Sequence, residues 1–213
     1  MTHLNKFVLA IATAAMAQLA HAAPIALTNA GFEANWTSVA FAGSDGHVTF
    51  NYAPTGPNVG WSFGAGTGVA GAYDLLAAFE GSRFALLQGA SNPMSQTFSL
   101  AGAMDVNLSF ELALRPRYAP GQVVRVSVDG QTVGEATAAT GWHLHALDLG
   151  LLSSGTHELA FQGLSGSVGD TTAFLDDVRL DGQASRALPE PAGLPMTLLA
   201  AGVGLVAWRR RAR

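Results

Sequence analysis

Two neighbouring carboxylates, Asp176 and Asp177, interrupt an apolar run that reads Phe174-Leu175-Asp176-Asp177-Val178-Arg179-Leu180. Adjacent negative charges in a strand repel one another unless a cation or a set of hydrogen-bond donors stands between them. Calcium suits such a pair, because it takes roughly six to eight oxygens from carboxylates and backbone carbonyls. Strict strand alternation puts Asp176 on the face of Phe174, Val178 and Leu180, pointing inward, which makes it the better ligand of the two. The other reading buries Asp176 against backbone amides or an arginine and leaves Asp177 solvated. On sequence both are open.

A second chemistry is sugar binding, in which exposed rings stack on pyranose faces and Asn, Gln, Asp or Arg bind the hydroxyls. The available rings are Trp36, Tyr52, Trp61, Tyr73, Tyr118 and Trp142. Tyr118 has the best neighbours, since Arg115-Pro116-Arg117-Tyr118 places two guanidinium groups beside it. Arg115, Arg117 and Tyr118 are therefore the candidate glycan contacts, against the plainer reading of loop packing. Other matches are weaker. Gly66-Thr67-Gly68-Val69-Ala70-Gly71 fits GxGxxG but follows no buried parallel strand, so it is expected to be a flexible loop. His143 and His145 share a strand face with Asp148 nearby, yet two imidazoles without a firm third ligand more often mark a surface edge. No HExxH or GxSxG is present, and the expectation is a protein without catalysis. A glycosidase would need two carboxyl groups facing each other about 5–9 Å apart, and no pattern nominates a pair.

The elements that must position these groups are strands. Met104, Val106, Leu108, Phe110, Leu112 and Leu114 alternate over eleven positions, which marks a half-buried strand. Val124, Val126 and Val128 repeat the pattern and run into Asp129-Gly130, a hairpin turn signal, with Gln131 to Val133 returning. Shorter strands are predicted at 84–88, 96–100, 147–149, 158–162 and 173–180. Residues 56–79, rich in glycine and alanine, read as a long loop with a short helix over 73–79. Many short strands with little helix predict an all-β fold, an antiparallel jelly-roll sandwich.

Composition narrows the setting. The chain has no cysteine, which removes disulfides, thiolate chemistry and Cys-ligated zinc. Five of its 11 basic residues lie in the two end segments, leaving six arginines against 15 acidic residues and a net charge of −9 between them. Such a domain is a poor candidate for nucleic acid. Lys6, the apolar run 7–19 and Ala20-His21-Ala22 form a secretory signal peptide, taken as residues 1–23. The domain is expected over 24–183, followed by a linker over 184–191. The apolar segment 192–208 is about 25 Å long as a helix and just able to span a membrane. Arg209, Arg210, Arg211 and Arg213, within the terminal 209–213, are expected to stay in the cytoplasm.

Two resemblances follow from these residues. Pro189-Glu190-Pro191, the short apolar span and the arginine cluster, in that order, resemble the PEP-CTERM sorting signal of exopolysaccharide-producing Gram-negative bacteria. The resemblance implies export, transient anchoring in the inner membrane, an exosortase-type processing enzyme as partner, and release to the cell surface or extracellular matrix. It further implies association with exopolysaccharide in biofilm or floc formation. Within the domain, Asn29-Ala30-Gly31-Phe32-Glu33, Gly60-Trp61, Ser95-Gln96-Thr97-Phe98, Trp142 and the closing Asp176-Asp177 segment are similar to galactose-binding-like jelly rolls, among them many carbohydrate-binding modules. In such domains the first and last strands lie together, often with a structural calcium. That resemblance adds Asn29 and Glu33 to Asp176 and Asp177 as its ligands. It also treats Trp61 and Trp142 as core residues.

Overall fold

The computed structural model describes residues 22–35, 41–44, 49–71, 76–116, 121–165 and 171–184. All but the last two residues of the expected signal peptide, the sorting motif Pro189-Glu190-Pro191, the apolar segment and the terminal arginines lie outside them. The described chain is built of thirteen strands. They are β1 (Ala23–Ile25), β2 (Phe41–Ser44), β3 (Thr49–Tyr52), β4 (Ser62–Phe63), β5 (Thr67–Gly71), β6 (Arg83–Gln88), β7 (Met94–Leu100), β8 (Met104–Leu114), β9 (Val123–Val128), β10 (Gln131–Thr137), β11 (His143–Leu152), β12 (Gly155–Gly163) and β13 (Thr172–Ala184).

Their pairings are antiparallel and make two sheets. The larger runs β11-β8-β13-β6-β5-β3-β2, with β1 paired to the far half of β13. The smaller runs β10-β9-β12-β7-β4. This is the all-β sandwich expected from the alternation, and β8 spans the eleven residues whose period of two announced it.

Between the sheets, alternate side chains of β8 (Val106, Leu108, Phe110, Leu112) meet Val124, Val126, Leu159 and Phe161 of the smaller sheet. Phe161 is the hub, edge-on to Phe110 at 5.3 Å and 6.1 Å from Trp61, which in turn meets Phe32 at 5.4 Å. Burying each such ring contributes about 1.5–3 kcal/mol by removing apolar surface from water. Trp61 is thus a core residue, as expected, with its indole N–H donating to the Asn29 carbonyl at 3.0 Å.

Two expectations fail here. The glycine-rich stretch is not one loop: it contains β4 and the fully paired β5, and Val69 and Ala70 are core residues. Glycine serves close approach there, since a Cβ on Gly68 would stand 2.2 Å from the Asn51 carbonyl oxygen of β3. The described part of the predicted helix, 76–79, is not helical.

The second failure is alternation along β13. Asp176 pairs with Glu111 and Arg179 with Ser109, so Asp177 and Val178 together oppose Phe110. This is a β-bulge, and Asp177 takes a φ of 47° to make it. The bulge flips the parity of the strand. Ala173 and Leu175 before it, and Val178 and Leu180 after it, all face the main core. Asp176 therefore shares a face with Phe174 but not with Val178 or Leu180, and that face is the outer one.

Candidate ligand-binding face

The outer face of the large sheet has two halves. One is apolar: Phe84, Leu86, Ala113 and Phe174 are buried there, with Phe50, Tyr52, Leu76, Ala78 and Trp142 packed over them. The other half is a polar lattice read directly from the strand register. Across β11, β8 and β13 the rows are Leu144-Glu111-Asp176, Ala146-Ser109-Arg179, Asp148-Asn107-Asp181 and Leu151-Asp105-Gln183. A bulge at Leu149 keeps the last row in phase, with Gly150 at a φ of 72° and its N–H on the Asp148 carboxylate. Leu144 and Leu151 are 67% and 61% exposed and stand along the edge of this field.

At the junction of the two halves lies a strap, residues 77–83, that leads into β6. Asp176 ties its start. The Asp176 carboxylate is fully buried and accepts the backbone N–H groups of Phe79 and Glu80, both at 3.0 Å, and of Asp177 at 2.8 Å. Burial raises its pKa to about 6 against the lowering pull of these three N–H groups, and the Asp177 charge adds to the rise. Glu33 ties the end of the strap, accepting from Ser82 N, Arg83 N and the Ser82 hydroxyl at 2.7–2.9 Å. Gly81 permits this, since its φ is +63° and a Cβ there would sit 2.6 Å from the Glu33 carboxylate. A third tie is the Trp142 indole N–H, which donates to Ala77 O at 2.8 Å.

The strap holds one ring in solvent. Phe79 is 49% exposed and meets the half-buried Trp142 edge-on at 6.4 Å, and Trp142 rests on Phe84 at 5.6 Å. Trp142 thus packs on the buried apolar cluster of the outer face rather than between the sheets. It belongs to the outer face, because its position on the β11 side alternates outward with Leu144 and Ala146. Around these rings stand Glu80, Glu111, Asp177 and Arg179. Arg179 Nε donates to Asp177 at 2.8 Å, and its guanidinium lies 4.0 Å from Glu80. Glu111 is 6% exposed, and burial raises its pKa, with Asp177 adding to the rise while His143 and Arg179 oppose it.

The four residues nominated as calcium ligands are brought to this region but are used otherwise. Asn29 donates its amide to Val59 O and accepts Ala34 N, closing the turn after β1 with a φ of 54°. Six N–H and O–H donors converge on the carboxylates of Glu33 and Asp176, so positive dipoles stand where a cation would. Asp177 is paired with Arg179. Among the described residues no group of three or more His, Asp or Glu is arranged to hold a metal ion. These donors, as placed, do not fit a resident calcium. Asp176 follows the alternative reading, held by backbone amides.

Of the proposed glycan contacts, Arg117 and Tyr118 lie outside the described residues, and Arg115 is half-buried beyond β8 with its N–H on Thr172 O. His143 bonds Thr140 O and His145 stacks on Phe110, so the two imidazoles are spent separately at the sheet edge. Sequence reasoning passed over Phe79 and Glu111. Phe79 sat in a segment read as helix, and Glu111 was one polar position in an alternating strand. The breach of hydrophobicity by Glu111 among Phe110, Leu112, Ala113 and Leu114 was the available signal.

No family model and no curated protein matches the chain. Solved structures do. A cyclase from Fischerella sp. TAU is 16% identical with a TM-score of 0.53, covering 78% of this chain and 100% of that one. The CBM22-1 xylan-binding domain of Paenibacillus barcinonensis Xyn10C is 14% identical at a TM-score of 0.43, covering 73% and 93%. TmCBM61, solved with β-1,4-galactotriose, is 16% identical at 0.44, covering 73% and 97%. At such identity the likeness to the cyclase is one of fold alone, and the two lower scores add no weight.

Proposed function

We propose that the domain is a non-catalytic glycan-binding module, exported and sorted by its tail, that associates with exopolysaccharide at the cell surface or in the matrix. The observation that carries this is the pairing of the exposed Phe79 ring and Trp142 with the polar field of Glu111, Ser109, Asn107 and Arg179. A ring beside hydrogen-bonding groups is what a pyranose needs: C–H faces stack and hydroxyls are bound in one plane.

A hydrolase fits this face less well. Glu111 and Asp176 are neighbours on one sheet surface, and no cleft separates them to receive a glycosidic bond. The sorting reading rests on the resemblance of the tail. It supplies the partners, an exosortase-type enzyme and the inner membrane before processing.

The test is co-sedimentation of the full-length protein with its host's own exopolysaccharide. Saturable binding is expected, and Phe79→Ala should weaken it about tenfold, the loss of one stacking ring worth roughly 1.4 kcal/mol. Binding should be the same in calcium as in EDTA. Wild-type and Phe79→Ala protein sedimenting equally would remove this face from the account, and loss in EDTA would restore an ion at Glu33 and Asp176.

A further inference from the structure

Resting on the glycan-binding reading, we propose that the ligand of this face carries amino sugars with free, positively charged amines, and that Glu111 receives the ammonium group. The carboxylates around Phe79 differ in how they are satisfied. Asp176 accepts three backbone N–H groups, and Asp177 and Glu80 share Arg179. Glu111 is 6% exposed, and among the described residues no hydrogen bond and no ion pair within 4.0 Å reaches its carboxylate, whose oxygens are not fully enclosed and so meet water. A carboxylate that meets water only at its tip is partly desolvated, and a donor from outside can offset that cost.

An ammonium group answers it best. It brings three N–H donors and a full positive charge, and charge-assisted bonds are the stronger ones. The balance of charge points the same way. Asp177, Glu80 and Asp181 act on one guanidinium, Arg179, Asp177 also acts on Glu111, and the imidazole acting on Glu111, His143, is already bonded to Thr140 O. A uronic acid would meet net repulsion here. The neighbouring surfaces suit the rest of an amino sugar: Phe79 and Trp142 attract a cation to their ring faces, and the exposed Leu144 lies directly opposite Glu111 in the register. The fold itself makes Glu111 a recognition residue. Its strand must bury Leu112 on the inner face, which commits position 111 to the outer one, and the strap then covers Asp176 beside it but leaves Glu111 without a donor.

Two hexasaccharides with the same backbone separate charge from shape: glucosamine hexamer and N-acetylglucosamine hexamer. Titration calorimetry on the full-length protein in detergent should show the glucosamine form binding about tenfold more tightly, the range of a charge-assisted bond. The difference should shrink between about 0.05 M and about 0.5 M salt, because a pair formed at the water-facing tip of Glu111 is screened. Glu111→Gln should remove the difference while leaving the weaker, neutral binding. Equal affinities, or a preference for the acetylated form, would overturn the assignment and leave the glycan reading in place. If neither hexamer binds, the assignment also falls, and the glycan reading falls with it only when the host exopolysaccharide fails to bind too. Should Glu111→Gln not fold, the native protein still decides: a preference unchanged by salt refutes the ammonium contact.

Discussion

His157 lies between two acceptors. Its ring is 8% exposed, with Nδ1 2.7 Å from the Asp129 carboxylate, Nε2 2.9 Å from the Ser153 carbonyl, and Phe98 at 5.6 Å. Acceptors on both nitrogens favour the doubly protonated ring. The bond to Asp129, then that to Ser153, raises the His157 pKa above 6.5, while Asp129 is held below 3.8 by the same bond. A raised folded pKa contributes stability that is complete below 6.5 and lost as pH rises through the folded value. A depressed one contributes stability above 3.8 that is lost on acidification through the folded value. The pair therefore stabilises most between about pH 4 and pH 6.5. The melting temperature should fall from about pH 6 to about pH 8.5 in the wild type and fall less steeply in His157→Gln. Parallel slopes would mean that the ring is neutral throughout. Nothing in the sequence singled out His157, because a histidine in an alternating strand gains its chemistry only when another hairpin's Asp129 reaches it. Asp176 was legible as a buried carboxylate. Backbone amides were one of two readings of its partners, but which amides was not legible, since two of the three lie in a segment ninety-odd residues away and backbone donors carry no mark in a sequence.

At the scale of the strand, the bulge in β13 decides which side chains face the core. Asp177 adopts the left-handed region, which Asp and Asn tolerate and β-branched residues resist by about 1–2 kcal/mol. Asp177→Asn should melt close to the wild type, losing only the charge that pairs with the largely exposed Arg179. Asp177→Val should melt several degrees lower, and a valine variant as stable as the wild type would show that the bulge is not strained. The strands themselves were legible wherever one face is core and the other wet, as in β8, β9 and β7, because a period of two survives any tertiary context. The bulges at 148–150 and 176–179 were not, since each is one extra residue that only the register with a neighbour reveals. The buried β5 was hidden for another reason. Its Gly68 makes a close backbone approach to β3 possible, and glycine in sequence signals a turn before it signals a tight strand pair.

For the whole molecule, the sandwich followed from composition and periodicity, whereas the recognition face did not, because it depends on which loop covers which half of a sheet. Export and sorting lie in the segments outside the described residues and call for a separate measurement. Intact mass of the secreted protein from its native host is expected to show a species without Ala192–Arg213, and a secreted species retaining that segment would end the sorting reading. The placement of β13 has one more consequence, which concerns time. It is the last of the described strands to be synthesised, yet it stands inside the large sheet, where β8 flanks it on one side and β6 and β1 share the other. Until it emerges, β8 has only β11 beside it, β6 has only β5, and the three-residue β1 has no partner. The first and last strands of the domain, Ala23 and Gly182 in register, close the sheet together. Such long-range pairing is slow to form. The large sheet thus closes only when the chain has been made as far as Gly182, and the earlier strands wait on that last pairing.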